Sequence, residues 1–182
     1  MAGRETLRDL MPSPAAGFEA PFAMLEACHE RIVRTLDLLR RLRSHVAQHG
    51  ADDQARQAAR DVLRYFDQAA PQHHLDEERH VLPALEATGD PALLALASRL
   101  REDHRRMEDR WALARSVLSD LAEGRLPRLD PAHEDILAAF ADLYTAQLST
   151  EEQVAFPSAS ARLDAAALEG MSADMRSRRG AA

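Results

Sequence analysis

A single cysteine, Cys28, is present in the chain, so no internal disulfide framework can form, and the count suits a reducing compartment. Its thiol is a poor candidate ligand beside His29, because adjacent helical residues point about 100° apart. Glycine is scarce, seven among 182 residues, and β-branched runs are few, which disfavours a sheet protein. Basic residues are outnumbered and the formal net charge is -7, which argues against a nucleic-acid binder, since neutralising phosphates takes clustered Lys and Arg. The one terminal basic cluster, Arg176, Arg178 and Arg179, reads as a solvated tail. No apolar run approaches the roughly 20 residues that span a bilayer, and the opening MAGRETLRDLMPSP has no apolar segment of the secretory kind. The expectation is a cytoplasmic chain without a membrane or nucleic-acid partner.

What is abundant is Ala, Leu, Arg and Glu in long stretches, the composition of helices. At 182 residues and 46% hydrophobic content, one domain with one core is the default. Residues 1–19, with Pro12, Pro14 and Gly17, read as an N-terminal arm. Phe22, Leu25, Ile32, Leu36, Leu39 and Val46 then recur at helical spacing until Gly50, predicting a helix over 20–48. Asp52 and Asp53 open a second over 53–87, with Val62, Phe66, Ala70, Val81 and Ala84 inward and two internal prolines, Pro71 and Pro83. Asp90-Pro91 and Asp130-Pro131 open the third and fourth in the order of cap then proline. The third carries Leu93, Leu96, Leu100, Met107, Trp111, Leu118 and Leu121 to Gly124, and the fourth Ile136, Phe140, Tyr144 and Val154 to Pro157. The prediction is an all-α, up-down-up-down antiparallel four-helix bundle over 20–158. Residues 159–182 read as a C-terminal tail or short helix around Leu163 to Met175.

Each apolar stripe is interrupted by polar residues where Leu would be expected. His29 falls in the first, His73 and Glu77 in the second, His104 in the third, Gln147 and Glu151 in the fourth. His29 lies 22 residues before a turn at 51 and His73 lies 22 after it. The pair His73/Glu77 and His104 are about equally far from a turn near 89, and His104 and the pair Gln147/Glu151 from one near 127. At about 1.5 Å per residue, all four interruptions come to one layer within about 2 Å. Any one of these histidines alone could be a hydrogen-bonded core residue. Together they would cost several kcal/mol apiece, in the range of about 2–7 for an unsatisfied polar group and more for a charge, unless something compensates. His74, His80, Glu78 and Glu152 flank the seam as surface or supporting groups, and His45, His49 and His133 read as solvated.

HHLDEERHVLP at 73–83 and QLSTEEQVAFP at 147–157 align without a gap. With His29 and His104 they resemble the hemerythrin-like family, the His-His-Glu cation-binding domains, over about residues 20–158. The resemblance implies a bridged pair of irons held by His29, His73, Glu77, His104 and Glu151, with Glu77 and Glu151 as bridges. Gln147 departs from the family, standing where it has a helix-four histidine. A neutral amide is a poor iron ligand beside imidazole, so one metal position loses an anchor, and a single metal or zinc becomes the alternative to two irons. Glu108, four residues after His104, is the candidate replacement.

Three functions are then open. The first is a binding protein that takes oxygen or nitric oxide, or senses or stores iron, without turnover. The second is a di-iron oxidase, peroxidase or nitric-oxide or iron repair enzyme. The third is an interaction bundle with a degenerate metal site. Protein partners and oligomeric state are not legible in the residues.

Overall fold

The computed structural model describes residues 17–180, and every regular element among them is helical. The arm expected over 1–19 lies almost wholly outside the described residues. Helix α1 (Pro21–His49) has proline in its first turn, where the missing N–H is not needed, and stops at Gly50, whose φ of 78° suits a residue without Cβ. Helix α2 (Asp53–Asp76) is capped by the Asp52 carboxylate, which accepts from the Ala55 N–H at 2.9 Å. It passes directly into a π-helical turn, Glu77–Val81, and then α3 (Leu82–Glu86). Helix α4 (Pro91–Ala122) is capped by Asp90, and α5 (Pro131–Thr150) by Asp130 in a reciprocal box with His133. A second π-helical turn, Glu151–Ala155, leads into α6 (Phe156–Ser160), and Asp164 caps α7 (Ala165–Arg178). The segments read as the second and fourth helices are therefore composite rods.

A proline follows closely on each π-turn, though proline alone does not produce one, since Pro71 lies within α2 without it. Leu82 N–H bonds Glu77 O and Phe156 N–H bonds Glu151 O, each five residues back. The next residue is in each case a proline, Pro83 or Pro157. In an unbroken α-helix that ring would clash with the carbonyl four residues earlier and leave it without a donor. An extra residue in the turn relieves the clash. It also changes the register: Val154, expected inward, is 43% exposed, while Ala155 and Phe156 are buried.

Helices α1, α2, α4 and α5 pack in chain order, α1 on α2, α2 on α4, α4 on α5 and α5 back on α1. The core consists of two apolar clusters. One contains Ile32, Leu39, Val62, Phe66, Leu118, Leu137 and Phe140. The other contains Leu25, Leu82, Leu85, Leu100, Phe156 and, from α7, Met171 and Met175. His29 sits between Leu25 and Ile32, and His104 between Leu100 and Met107, so the polar layer falls where the two clusters meet.

The C-terminal arginines are not a solvated tail. Arg178 and Arg179 both bind the Asp76 carboxylate, which is 0% exposed, and Arg176 lies over the Phe18 ring, 5.7 Å from its centroid. Burying a carboxylate is costly unless opposite charge and hydrogen bonds meet it, and the two guanidinium groups do so here. Two of the histidines read as solvated are also engaged: His45 bonds Asp52 at 2.9 Å and His133 closes the α5 cap.

Candidate metal centre

Six side chains anticipated for the polar layer are buried: His29 on α1, His73 in the last turn of α2, Glu77 opening the first π-turn, His104 on α4, Gln147 in the last turn of α5 and Glu151 opening the second π-turn. His29 Nε2 lies 3.2 Å from Glu151 Oε2 and 3.8 Å from Glu77 Oε1. His104 Nε2 lies 3.2 Å from Glu77 Oε2 and 3.8 Å from Glu151 Oε1. His73 Nε2 is 3.4 Å from Glu77 Oε1. The two carboxylates thus stand between imidazoles from three helices.

The seventh candidate, Glu108, is exposed on α4 and does not join the buried group. Four helical residues advance the side chain about 40° beyond a full rotation, and here that carries Glu108 out to solvent. Gln147 points inward: its Nε2 donates to Glu151 Oε1, and its Oε1 has no partner. Cys28 is buried, and burial raises its thiol pKa, so it stays protonated.

A second set of contacts orients the imidazoles. His29 Nδ1 donates to Glu152 Oε1 at 2.9 Å, and His104 Nδ1 donates to Glu78 Oε1 at 2.9 Å. In each Glu-Glu pair the first carboxylate enters the layer, while the second, 36% exposed at Glu78 and 50% at Glu152, holds a histidine of a neighbouring helix. His74, placed by sequence among the flanking groups, is buried and stacks on His104 at 4.3 Å between ring centroids, with Tyr144 at 5.8 Å. Burial, then the charge on His104, pushes its pKa down to about 3.

The electrostatics are those of a crowded buried cluster. Burial alone would lower the pKa of His29 and His104, but Glu151 and Glu77 against their Nε2 atoms outweigh it and raise both to about 10. Burial raises Glu77. Burial would also raise Glu151, but His104 and His29 beside it prevail and hold it well below the usual carboxylate range. His73 is lowered, first by burial and then by the charge on His29.

These residues fit a metal ion on the evidence of their own unmet bonding. His29 Nε2, His104 Nε2, His73 Nδ1, both oxygens of Glu77 and Gln147 Oε1 are buried without a well-formed hydrogen bond. Orphaned buried polar groups are rare in folded proteins because each carries its full desolvation cost. His29, His73, Glu77 and Glu151 can each offer one ligand atom, and those atoms lie within 4.8 Å of one another.

The family model of the hemerythrin HHE cation-binding domain matches residues 20–159. The chain belongs to that family. The match spans α1 to the end of the second composite rod and leaves α7 outside. An uncharacterized protein of Haemophilus influenzae is 27% identical to this HHE protein over 143 residues, covering 79% of this chain and 81% of the relative. The family is a cation-binding one, and the His/Glu group described above is where this HHE domain could hold a metal.

The converging residues are legible in the sequence, whereas the groups behind them are not. The buried Asp76 with its two arginines had one available signal, an acidic residue directly before the Glu-Glu pair and a basic cluster left unassigned near the other end of the chain. Nothing in the local sequence joined them.

Proposed function

We propose that this HHE domain is a non-haem iron protein that would hold two ions per chain, with His29, His73, Glu77, His104 and Glu151 as ligands. Its function on this reading is to take up a small diatomic molecule, oxygen or nitric oxide, or to sense or store iron, without turnover. The supporting observation is the set of buried nitrogens and carboxylate oxygens left without hydrogen bonds at one level of the bundle. Imidazole and carboxylate together suit iron. The same reading takes α1, α2, α4 and α5 as alternating up and down, with 20–158 as the metal-binding domain and a reducing, cytoplasmic setting consistent with one buried thiol.

Iron held there would supply one-electron exchange with the diatomic molecule. The protein's part is to position and enclose. Glu152 and Glu78 fix the Nδ1–H tautomers of His29 and His104 and turn their Nε2 atoms inward. The Phe156 ring, stacked on His29 at 5.0 Å, shields one side from water.

Gln147 favours a second reading, with one ion bound tightly and the other weakly or not at all. Its amide donates to Glu151, where an imidazole would instead offer a lone pair. Iron and zinc content per chain, followed by absorption spectra in air, under nitric oxide and after reduction, tests both readings. Two irons with a near-ultraviolet band that responds to nitric oxide is the expected result. One ion per chain supports the second reading. A chain that takes up no metal when iron is supplied is the interaction bundle with a degenerate site.

A further inference from the structure

Helix α7 lies against the outer side of the rod whose inner side carries His73 and Glu77. Two of its side chains, Asp174 and Arg178, and Arg179 directly after the helix grip that rod. Arg178 donates to Gln72 Oε1 at 3.0 Å and to Asp76, and Arg179 donates to Asp76 Oδ2 at 2.5 Å and to Oδ1 at 3.2 Å. Asp174 accepts from Arg79 at 3.1 Å and from Arg178 at 3.0 Å, and pairs with His80 at 2.8 Å. Residues 72, 76, 79 and 80 are therefore held from outside, while 73 and 77 between them face the buried layer.

The rod carrying Gln147 and Glu151 has no such support among the described residues. With the gapless match of the two segments carried one residue further back, Gln72, Asp76, Arg79 and His80 correspond to Ala146, Thr150, Gln153 and Val154. The Thr150 hydroxyl bonds back to its own helix at Ala146 O, and Val154 is 43% exposed. The two halves of the bundle thus differ in their outer support as well as in the His73/Gln147 position.

The grip falls on both sides of the point where the first π-turn begins. A widened turn displaced by one residue would rotate the side chains near it by about 100° relative to the bundle and carry Glu77 away from the layer. Bonds to Gln72 and Asp76 before Glu77, and to Arg79 and His80 after it, oppose such a shift.

We propose that Asp76, Asp174, Arg178 and Arg179 are positioning residues for the metal centre, α7 acting as a clasp that fixes the register of the first π-turn and so the approach of His73 and Glu77 to the metal. The inference rests on the metal-binding reading. It accounts for a fully buried carboxylate one residue before a candidate ligand, which packing of α7 by Met171 and Met175 alone does not require.

The test is titration of the metal-free, full-length protein with Co(II), reading affinity by chelator competition and ligand geometry by the visible d–d spectrum, at a temperature where circular dichroism shows every variant folded. Asp76→Asn and Asp174→Asn are the clasp variants, and Asp174→Asn, a partly exposed site, decides if Asp76→Asn does not fold. Gln153→Ala on the unclasped rod and Arg43→Gln, which breaks the Arg43–Glu134 pair, are the controls. The expected result is a loss of Co(II) affinity on the order of tenfold or more in both clasp variants, the range in which partners of ligating residues act, with an altered spectrum and no change in the controls. Unchanged affinity and spectrum in the folded clasp variants overturn the clasp while leaving the metal reading intact. An equal loss in the controls also overturns it, since the effect is then general destabilisation. No Co(II) uptake by the unaltered chain overturns the metal reading and the clasp together.

Discussion

Glu152 holds His29 through its Nδ1 at 2.9 Å, so the Nε2 of the same ring faces Glu151 and Glu77. Glu78 does the same for His104 across the bundle. A carboxylate that accepts from Nδ1–H fixes the tautomer and makes Nε2 the better donor to a metal.

Replacing either outer carboxylate should weaken metal binding without unfolding the chain. Glu152→Ala and Glu78→Ala are expected to lose about 10- to 100-fold in affinity, and Glu152→Gln less, because its amide oxygen can still accept from Nδ1–H. Iron or Co(II) titration of the folded variants checks this. Equal affinities for Glu152→Ala and the unaltered chain would remove the orienting role.

The two inner carboxylates should differ when metal is absent. Burial raises Glu77, whereas His104 and His29 overcome burial at Glu151 and hold it low. Charge is therefore disfavoured at Glu77 and favoured at Glu151. Glu151→Gln and Glu77→Gln are both expected to lower the melting temperature of the metal-free protein, because each removes a charge facing His29 and His104, with the smaller loss at Glu77, where burial opposes the charge. Both should abolish the gain in melting temperature on adding metal. Thermal melts with and without metal give all four values.

His29 and His104, raised to about 10 in the metal-free chain, give its pH dependence. Their folded pKa lies above the unfolded value of about 6.5, so the stability they contribute is fully present below pH 6.5 and is lost as pH rises through 10. The metal-free melting temperature should fall between pH 7 and 10. Metal must displace these protons, so uptake at pH 7 should release about two protons per chain into weak buffer. A flat melting profile over that interval, or uptake without acidification, would contradict the assignment.

Gln147→His should raise affinity at the weaker position by replacing an amide with an imidazole. Glu108→Gln should change nothing, because Glu108 is exposed and outside the layer. Parallel metal titrations of the two variants settle it, and a loss in Glu108→Gln would show that Glu108 reaches the metal in solution.

Phe140 provides a control on the fold. Fully buried, it meets Phe66, Trp111 and Tyr144 ring to ring at 4.9–5.3 Å, away from the polar layer. Phe140→Ala should cost about 3–5 kcal/mol in denaturant unfolding while the metal stoichiometry stays unchanged.

The sequence by itself determined the helices and most of the residues that face inward. Cap-then-proline starts, Gly50 and the three-to-four spacing are local signals, and equal distances from turns carried His29, His73, His104 and Glu151 to one level because helical rise is constant. Two things were decided elsewhere. The π-turns depend on how a rod absorbs Pro83 and Pro157 while its ends stay packed, so the exposure of Val154 and the burial of Ala155 were not legible from an ideal period. The partners of Asp76 lie about a hundred residues away, at and just beyond the end of α7, and the exposure of Glu108 and the burial of His74 follow from the faces that α4 and α2 present to their neighbours. Local periodicity specifies a face of a helix. Only packing against other helices fixes how wide that face is and which charge at its edge is closed off from water.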